Sequence, residues 1–284
     1  MTIQNITEIP NPNNRNIVPI KEKQDIYLPN VIDKNIPNRN GFIWLLSGSG
    51  GSGNTSMLLN MFKSKNYYRW KFNHLYYICP ENSFTSVQNH PFQKHDKVYH
   101  ELSKSTLEEI YQELNSIKKE TTKLKEKKTK VYDGDDDHPQ SDSDKEMEYS
   151  CCIIDDFGDQ LKDKDIQQQL SKMLIKARHI CCAFVITVQS YHYFPKILRK
   201  QLTNCSIYKP KNVEEFVSIA KELFNMKSDD ALTLFNYCFD KPYNHLDVNT
   251  IDNCYYKNWN LLDIEMKKYI MNCLNLPWKK SIKS

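Results

Sequence analysis

Several features are missing from this chain, and each absence removes a class of protein. No apolar run approaches the roughly 20 residues that span a bilayer. The opening Met1-Thr-Ile-Gln-Asn-Ile6 lacks the basic start and apolar stretch of a signal peptide. A soluble, non-secreted protein without membrane partners is expected. The nine cysteines include no C-x-x-C pair. Cys151-Cys152 and Cys181-Cys182 lie in apolar, strand-like runs, where neighbours point to opposite faces and cannot converge on a zinc ion. Reduced thiols in an intracellular compartment are expected. A strong net charge is lacking: 39 basic against 35 acidic residues leave +4, which permits a polyanionic partner without demanding one. No internal repeat is seen. Glycine is scarce, at seven in 284 residues.

Against that scarcity, four of the seven glycines fall between positions 48 and 53: Gly48, Gly50, Gly51 and Gly53. They follow the apolar run Phe42-Ile-Trp-Leu-Leu46 and precede the helix-like Thr55-Ser-Met-Leu-Leu-Asn-Met-Phe62. Strand, glycine loop and helix in that order wrap phosphates in backbone N–H groups at a helix N-terminus. The segment Gly48-Ser49-Gly50-Gly51-Ser52-Gly53-Asn54-Thr55-Ser56 fits the P-loop pattern G-x-x-x-x-G-K-[ST] at every specified position except the lysine, which is Asn54. These nine residues are the candidate nucleotide-binding set.

Around the loop, five β-prone runs (42–47, 74–79, 149–155, 181–188 and 205–208) alternate with helix-like stretches at 55–64, 103–128, 160–178 and 213–225. Strands alternating with helices predict an α/β fold with a central, mostly parallel sheet and helices on both faces. The uninterrupted apolar runs 151–154 and 181–186 suit central strands covered on both sides. Residues 1–40, rich in Asn and Pro, read as an extended arm, with a short strand at 25–28. Residues 41–225 form the core. A Lys/Glu-rich helix near 116–130 leads into an acidic stretch, Asp133-Gly-Asp-Asp-Asp137 and Ser141-Asp-Ser-Asp144, so 116–148 reads as a partly disordered insertion. Its glycine comes too early for a calcium loop. Residues 226–284 read as a small α+β extension: a helix, a hairpin at 246–250 and 254–258, an amphipathic helix at 262–274, and a basic tip.

A phosphate loop needs a second site on a later buried strand. Tyr149-Ser-Cys-Cys-Ile-Ile154 ends in Asp155-Asp156, the Walker B pattern. Thr55 and Asp155 are candidate Mg²⁺ ligands, and Asp156 is the candidate base for the attacking water. The next strand ends in Gln189, placed to hold that water or to sense the γ-phosphate. Arg199 is a candidate arginine finger reaching a neighbouring subunit's nucleotide.

In the order glycine loop, Ile-Ile-Asp-Asp and Ile-Thr-x-Gln, the chain resembles the FtsK–HerA class of P-loop ATPases, in particular the DNA-packaging ATPases of large DNA viruses and virophages. The likeness spans roughly residues 40–250. It implies a RecA-like P-loop core, a ring-shaped homo-oligomer, ATP and Mg²⁺, and movement of viral double-stranded DNA into a capsid at its portal vertex. It also implies a place in the infected host cell, at the viral factory, or in the virion.

Asn54 departs from that family. A lysine there is a point charge on the β- and γ-phosphates, and charge stabilisation of this kind is commonly worth about 3–4 kcal/mol. Either another cation substitutes, or the chain binds nucleotide and turns it over poorly, as a structural or regulatory subunit mixed with an active copy in one ring. Lys63 and Lys65 lie at the far end of the helix. Lys209 is better placed if its strand neighbours the loop. A rival reading takes Gly48, Gly50 and Gly53 as G-x-G-x-x-G, the dinucleotide fingerprint. It expects an acidic residue about 20 positions on; the nearest, Glu81, is 28 past Gly53. Asp156-Phe-Gly158 matches the kinase D-F-G, but no H-R-D precedes it. Lys63, Lys65, Arg69 and Lys71, with Lys279 and Lys280, are candidate contacts to DNA.

Overall fold

The computed structural model describes residues 26–31, 33–129, 147–224, 226 and 228–264. The strands, in chain order, are β1 (Ile43–Ser47), β2 (His74–Ile78), β3 (Val98–Tyr99), β4 (Ser150–Ile154), β5 (Cys182–Val188), β6 (Asn204–Tyr208), β7 (His245–Asn249), β8 (Cys254–Lys257) and β9 (Asn260–Leu261). The helices are α1 (Asn54–Lys63), α2 (Glu81–Thr85), α3 (Lys104–Thr129), α4 (Lys164–Ile175), α5 (Lys196–Arg199), α6 (Val213–Ile219) and α7 (Ser228–Cys238). One π turn, Ala220–Phe224, continues α6.

The strands form one sheet in the order β3-β2-β4-β5-β1-β6-β7-β8-β9. Neighbours from β3 to β6 run parallel, and β7, β8 and β9 are added antiparallel. The expected α/β architecture with a mostly parallel sheet is therefore observed. All residues of β1, β4 and β5 are buried, as a parallel sheet covered by helices requires.

The period of two divides each strand between two cores. Ile43 and Leu45 face the layer of α3 and α4, with Cys152, Ile154 and Phe184. Trp44 and Leu46 face α1, with Cys151, Ile153 and Val185. Cys151 and Cys152 are thus split between faces, and burial pushes the Cys152 thiol up to about 12. In α4 the residues Ile166, Leu170, Met173 and Leu174 form one buried stripe. Its start is capped by Asp163, which accepts from the N–H groups of Asp165 and Ile166. Leu107, Ile110 and Leu114 do the same packing for α3.

Two expected segments look different in the structure. The strand expected at 25–28 is a single bridge, Tyr27 to Arg39, and Leu28 and Ile36 pack into the α1 side of the core. The described part of 226–284 continues the central sheet: β7 pairs with β6, and β7 and β8 form the expected hairpin. The Trp44 indole donates to Ser206 Oγ (2.9 Å), which donates to Asp247 Oδ1 (2.6 Å), tying β1, β6 and β7 together. The strand β3 and the short helices α2 and α5 were not anticipated. The acidic stretch 133–144, the helix at 262–274 and the basic tip lie outside the described residues.

Candidate functional site

Because β1, β4, β5 and β6 are mutually parallel, the turns after them gather on one rim of the sheet, where ligands bind in open α/β folds. β5 lies between β1 and β4. The registers Ser47 to Val188 and Ile154 to Ile186 bring the glycine loop, Asp155-Asp156 and Gln189 to neighbouring strand ends. The Gly48 N–H donates to the Val188 carbonyl at 3.1 Å, pinning the loop's start to β5.

A side chain at Gly48 would stand 2.5 Å from Ser52 Oγ and 2.8 Å from Tyr208 Cβ, so the close packing of loop against β6 needs glycine. Gly53 caps α1 at φ 109° and offers no side-chain acceptor. The N–H groups of the first helical turn are therefore left for a ligand, and no acidic side chain occupies that turn. Ser52 Oγ and Asn54 Oδ1 are buried without a hydrogen-bond partner.

An open cleft of about 380 Å³ is lined by the loop with Thr55, Ser56, Asp156, Gln189 and Tyr243. Gln189 Nε2 donates to Asp156 Oδ1 (2.9 Å), and Ser83 Oγ from α2 donates to Asp156 Oδ2 (3.2 Å). The Asp156 N–H donates to Thr187 Oγ1 at 3.0 Å. Asp156 itself sits at φ 63°, a left-handed conformation that Asp tolerates and that recurs at ligand sites.

Asp155 is placed differently from the role read for it. It is 2% exposed and does not line the cleft. Tyr77 OH donates to its Oδ2 (2.8 Å) and Thr187 Oγ1 to its Oδ1 (2.5 Å). Burial raises its pKa above the ordinary value, while the two hydroxyl donors pull it down and the Asp156 charge adds to the rise. The carboxylate that shares the cleft with Thr55 is Asp156. Asp155 still sits in the strand ladder, its N–H donating to the Ile78 carbonyl at 2.9 Å, whereas Asp156 turns out of it at φ 63°.

Arg199 is also placed away from the cleft. It is 9% exposed. Its Nε donates to the Phe194 carbonyl (2.7 Å) and its NH1 to Glu222 Oε2 (2.8 Å), and its guanidinium lies 4.2 Å from the centre of the Tyr191 ring. Within the described chain it is a buried cation held by these three contacts. Asn54 is committed as well: Nδ2 donates to the carbonyls of Gly48 (2.7 Å) and Val188 (3.2 Å).

Four contributors escaped the sequence reading. Tyr77 and Thr187 are polar residues inside buried strands, a detectable signal. Ser83 sits just past Pro80 with none. Tyr243, at φ 65° and 71% exposed, is one of 17 tyrosines and reaches the loop only through the tertiary fold. Its Cδ1 would lie 3.6 Å from a Cβ at Gly53.

Residues 32–236 match the family described as poxvirus A32 protein. The chain belongs to that family. Among solved structures, it resembles ATPases 2 and 3 of EssC from Geobacillus thermodenitrificans at 17% identity and TM-score 0.52, over 82% of this chain and 42% of that one. It also resembles B204, the DNA-packaging ATPase of Sulfolobus Turreted Icosahedral Virus, at 14% identity and TM-score 0.49, over 77% and 97% of the two chains. No curated protein matches the sequence. The fold is that of the RecA-like P-loop ATPases.

Among the described residues, no group of three or more His, Cys, Asp or Glu could hold a metal ion, and no helix is long and apolar enough to cross a membrane.

Proposed function

We propose that the chain is the ATPase of a viral genome-packaging motor, which binds ATP in the glycine-loop cleft and uses its hydrolysis to move double-stranded DNA into a capsid. Membership of the poxvirus A32 protein family supports the packaging role. The observation that carries the ATPase reading is the meeting of Thr55, Asp156 and Gln189 around one glycine loop at the ends of β1, β4 and β5.

Each group has a task in this reading. The loop N–H groups hold the phosphates, and the unpartnered Ser52 Oγ fits a phosphate-lined environment. Asp156 accepts the proton of the attacking water as the water's oxygen bonds to the γ-phosphorus. The bond from that phosphorus to the β–γ bridging oxygen breaks, giving ADP and inorganic phosphate. Gln189 holds Asp156 and orients the water. Asp155 positions Asp156 from beneath through Thr187. The donor set fits Mg²⁺, which prefers oxygen ligands and takes one or two carboxylates plus substrate phosphates; Thr55 Oγ1 and Asp156 are the hard oxygens of the cleft. Bound there, the ion would neutralise charge on the phosphates. Tyr243 offers a flat wall for the base. Action as a ring of copies at the capsid vertex, during virion assembly in an infected cell, belongs to the same proposal.

Asn54 favours a second reading, in which this chain binds nucleotide but turns it over poorly beside an active copy. Phosphate release by the full chain, with and without duplex DNA, decides between them. The motor reading expects release that rises with DNA. Binding without release, with hydrolysis gained in Asn54→Lys, supports the second. Absence of ATP binding overturns both.

A further inference from the structure

The lysine position of the loop holds Asn54, whose amide is tied to the Gly48 and Val188 carbonyls. It closes the loop onto the end of β5 and brings no charge. A triphosphate held only by neutral N–H groups lacks the charge-assisted contacts that make such sites strong.

Two cation sources border the loop. Lys63 shares a cleft with Thr55 and Asp156, but it lies eight residues along α1 from Thr55, about 12 Å of helix. The turn after β6 is closer. β6 runs parallel beside β1 with Ser47 opposite Ile207, so by register Lys209 falls at the level of Ser49 in the loop. Lys209 and Lys211 line, with Gly48, Ser49, Gly50 and Gln189, a second cavity of about 360 Å³ against the loop. Both lysines are exposed, and neither is held in an ion pair among the described residues. The carboxylate in this cavity, Glu215, is buried and already accepts the Tyr191 N–H at 2.6 Å.

We infer that Lys209 and Lys211 supply, from the strand beside the loop, the positive charge on the β- and γ-phosphates that Asn54 does not. The inference rests on the nucleotide-binding reading above.

The test is calorimetric binding of Mg·ATP and of AMP to the full chain and to Lys209→Gln/Lys211→Gln, Lys209→Arg/Lys211→Arg and, as a control for charge alone, Lys172→Gln on α4. The glutamine pair is expected to weaken ATP binding roughly 10- to 100-fold, the range for hydrogen bonds to charged groups, with AMP binding unchanged. The arginine pair and the control should bind ATP as the unaltered chain does. ATP binding that survives the glutamine pair, or ATP and AMP binding that fall together, overturns the inference while leaving nucleotide binding intact. An unaltered chain that binds neither nucleotide overturns the reading beneath it.

Discussion

Gln189 Nε2 donates to Asp156 Oδ1 across 2.9 Å, joining the end of β5 to the end of β4 within the cleft. The contact fixes the carboxylate that faces the loop and leaves the Gln189 carbonyl oxygen to accept from a water. Gln189→Ala is therefore expected to lower ATP turnover by roughly 10²–10³, the range for losing one preorganised group, with little change in ATP affinity. Steady-state hydrolysis paired with equilibrium binding measures both quantities. A matched loss in affinity would move Gln189 from the chemistry to the binding of the nucleotide.

The two adjacent carboxylates separate by experiment. Asp156→Asn should abolish measurable turnover with binding retained. Asp155→Asn should lower turnover while leaving unchanged the Mg²⁺ concentration that gives half-maximal activity; an increase in that concentration would return the metal role to Asp155. Stability gives an independent sign. Burial raises the Asp155 pKa in the folded chain above its ordinary value, so the folded state holds more protons than the unfolded state between the two values. Stability from this group is full below the ordinary value, near 3.9, and is lost as pH rises through the folded value. The unaltered chain should lose thermal stability relative to Asp155→Asn over that rise. Parallel melting curves would contradict the assignment.

Legibility followed local pattern. The run 181–188 was readable as a central strand because continuous apolar sequence between turn signals has few other uses, and the glycine spacing stood out against a glycine-poor background. Those patterns put Thr55, Asp156 and Gln189 forward as candidates, and the fold brings all three to one cleft. Which of Asp155 and Asp156 faces the cleft was not readable, since it depends on a left-handed φ at Asp156 and on hydroxyls from Tyr77 and Thr187 on neighbouring strands. The surroundings of Arg199 were not readable for a related reason. Its partner Glu222 is 23 residues away, on a π turn, and no pattern in the sequence joins them. The adjacency of Lys209 to the loop required the strand order, which composition does not encode.

The Arg199–Glu222 pair, buried on its arginine side, yields a stability prediction. Removing one partner of a buried ion pair costs about 3–5 kcal/mol. The Glu222 side chain is 32% exposed, so the screened value for Arg199→Ala is nearer 2 kcal/mol. Denaturant unfolding should show that loss. Turnover per folded chain should fall far less than the 10³-fold or more expected of an arginine finger. A fully stable variant without turnover would restore the finger.

Tyr243 offers the most direct view of what the cleft selects. Its ring borders Gly53, its backbone is held at φ 65°, and 71% of it is exposed. An aromatic surface left open beside a phosphate loop is placed to stack a base, and stacking of this kind is worth about 1–3 kcal/mol. Tyr243→Ala should weaken ATP roughly 10- to 100-fold and leave inorganic tripolyphosphate binding unaltered, because the latter has no base. Tyr243→Phe should bind both as the unaltered chain does, since the ring and not the hydroxyl makes the contact. Competition between tripolyphosphate and ATP on the three proteins reads out the difference. Equal losses for both ligands would mean that Tyr243 shapes the glycine loop instead of holding the base.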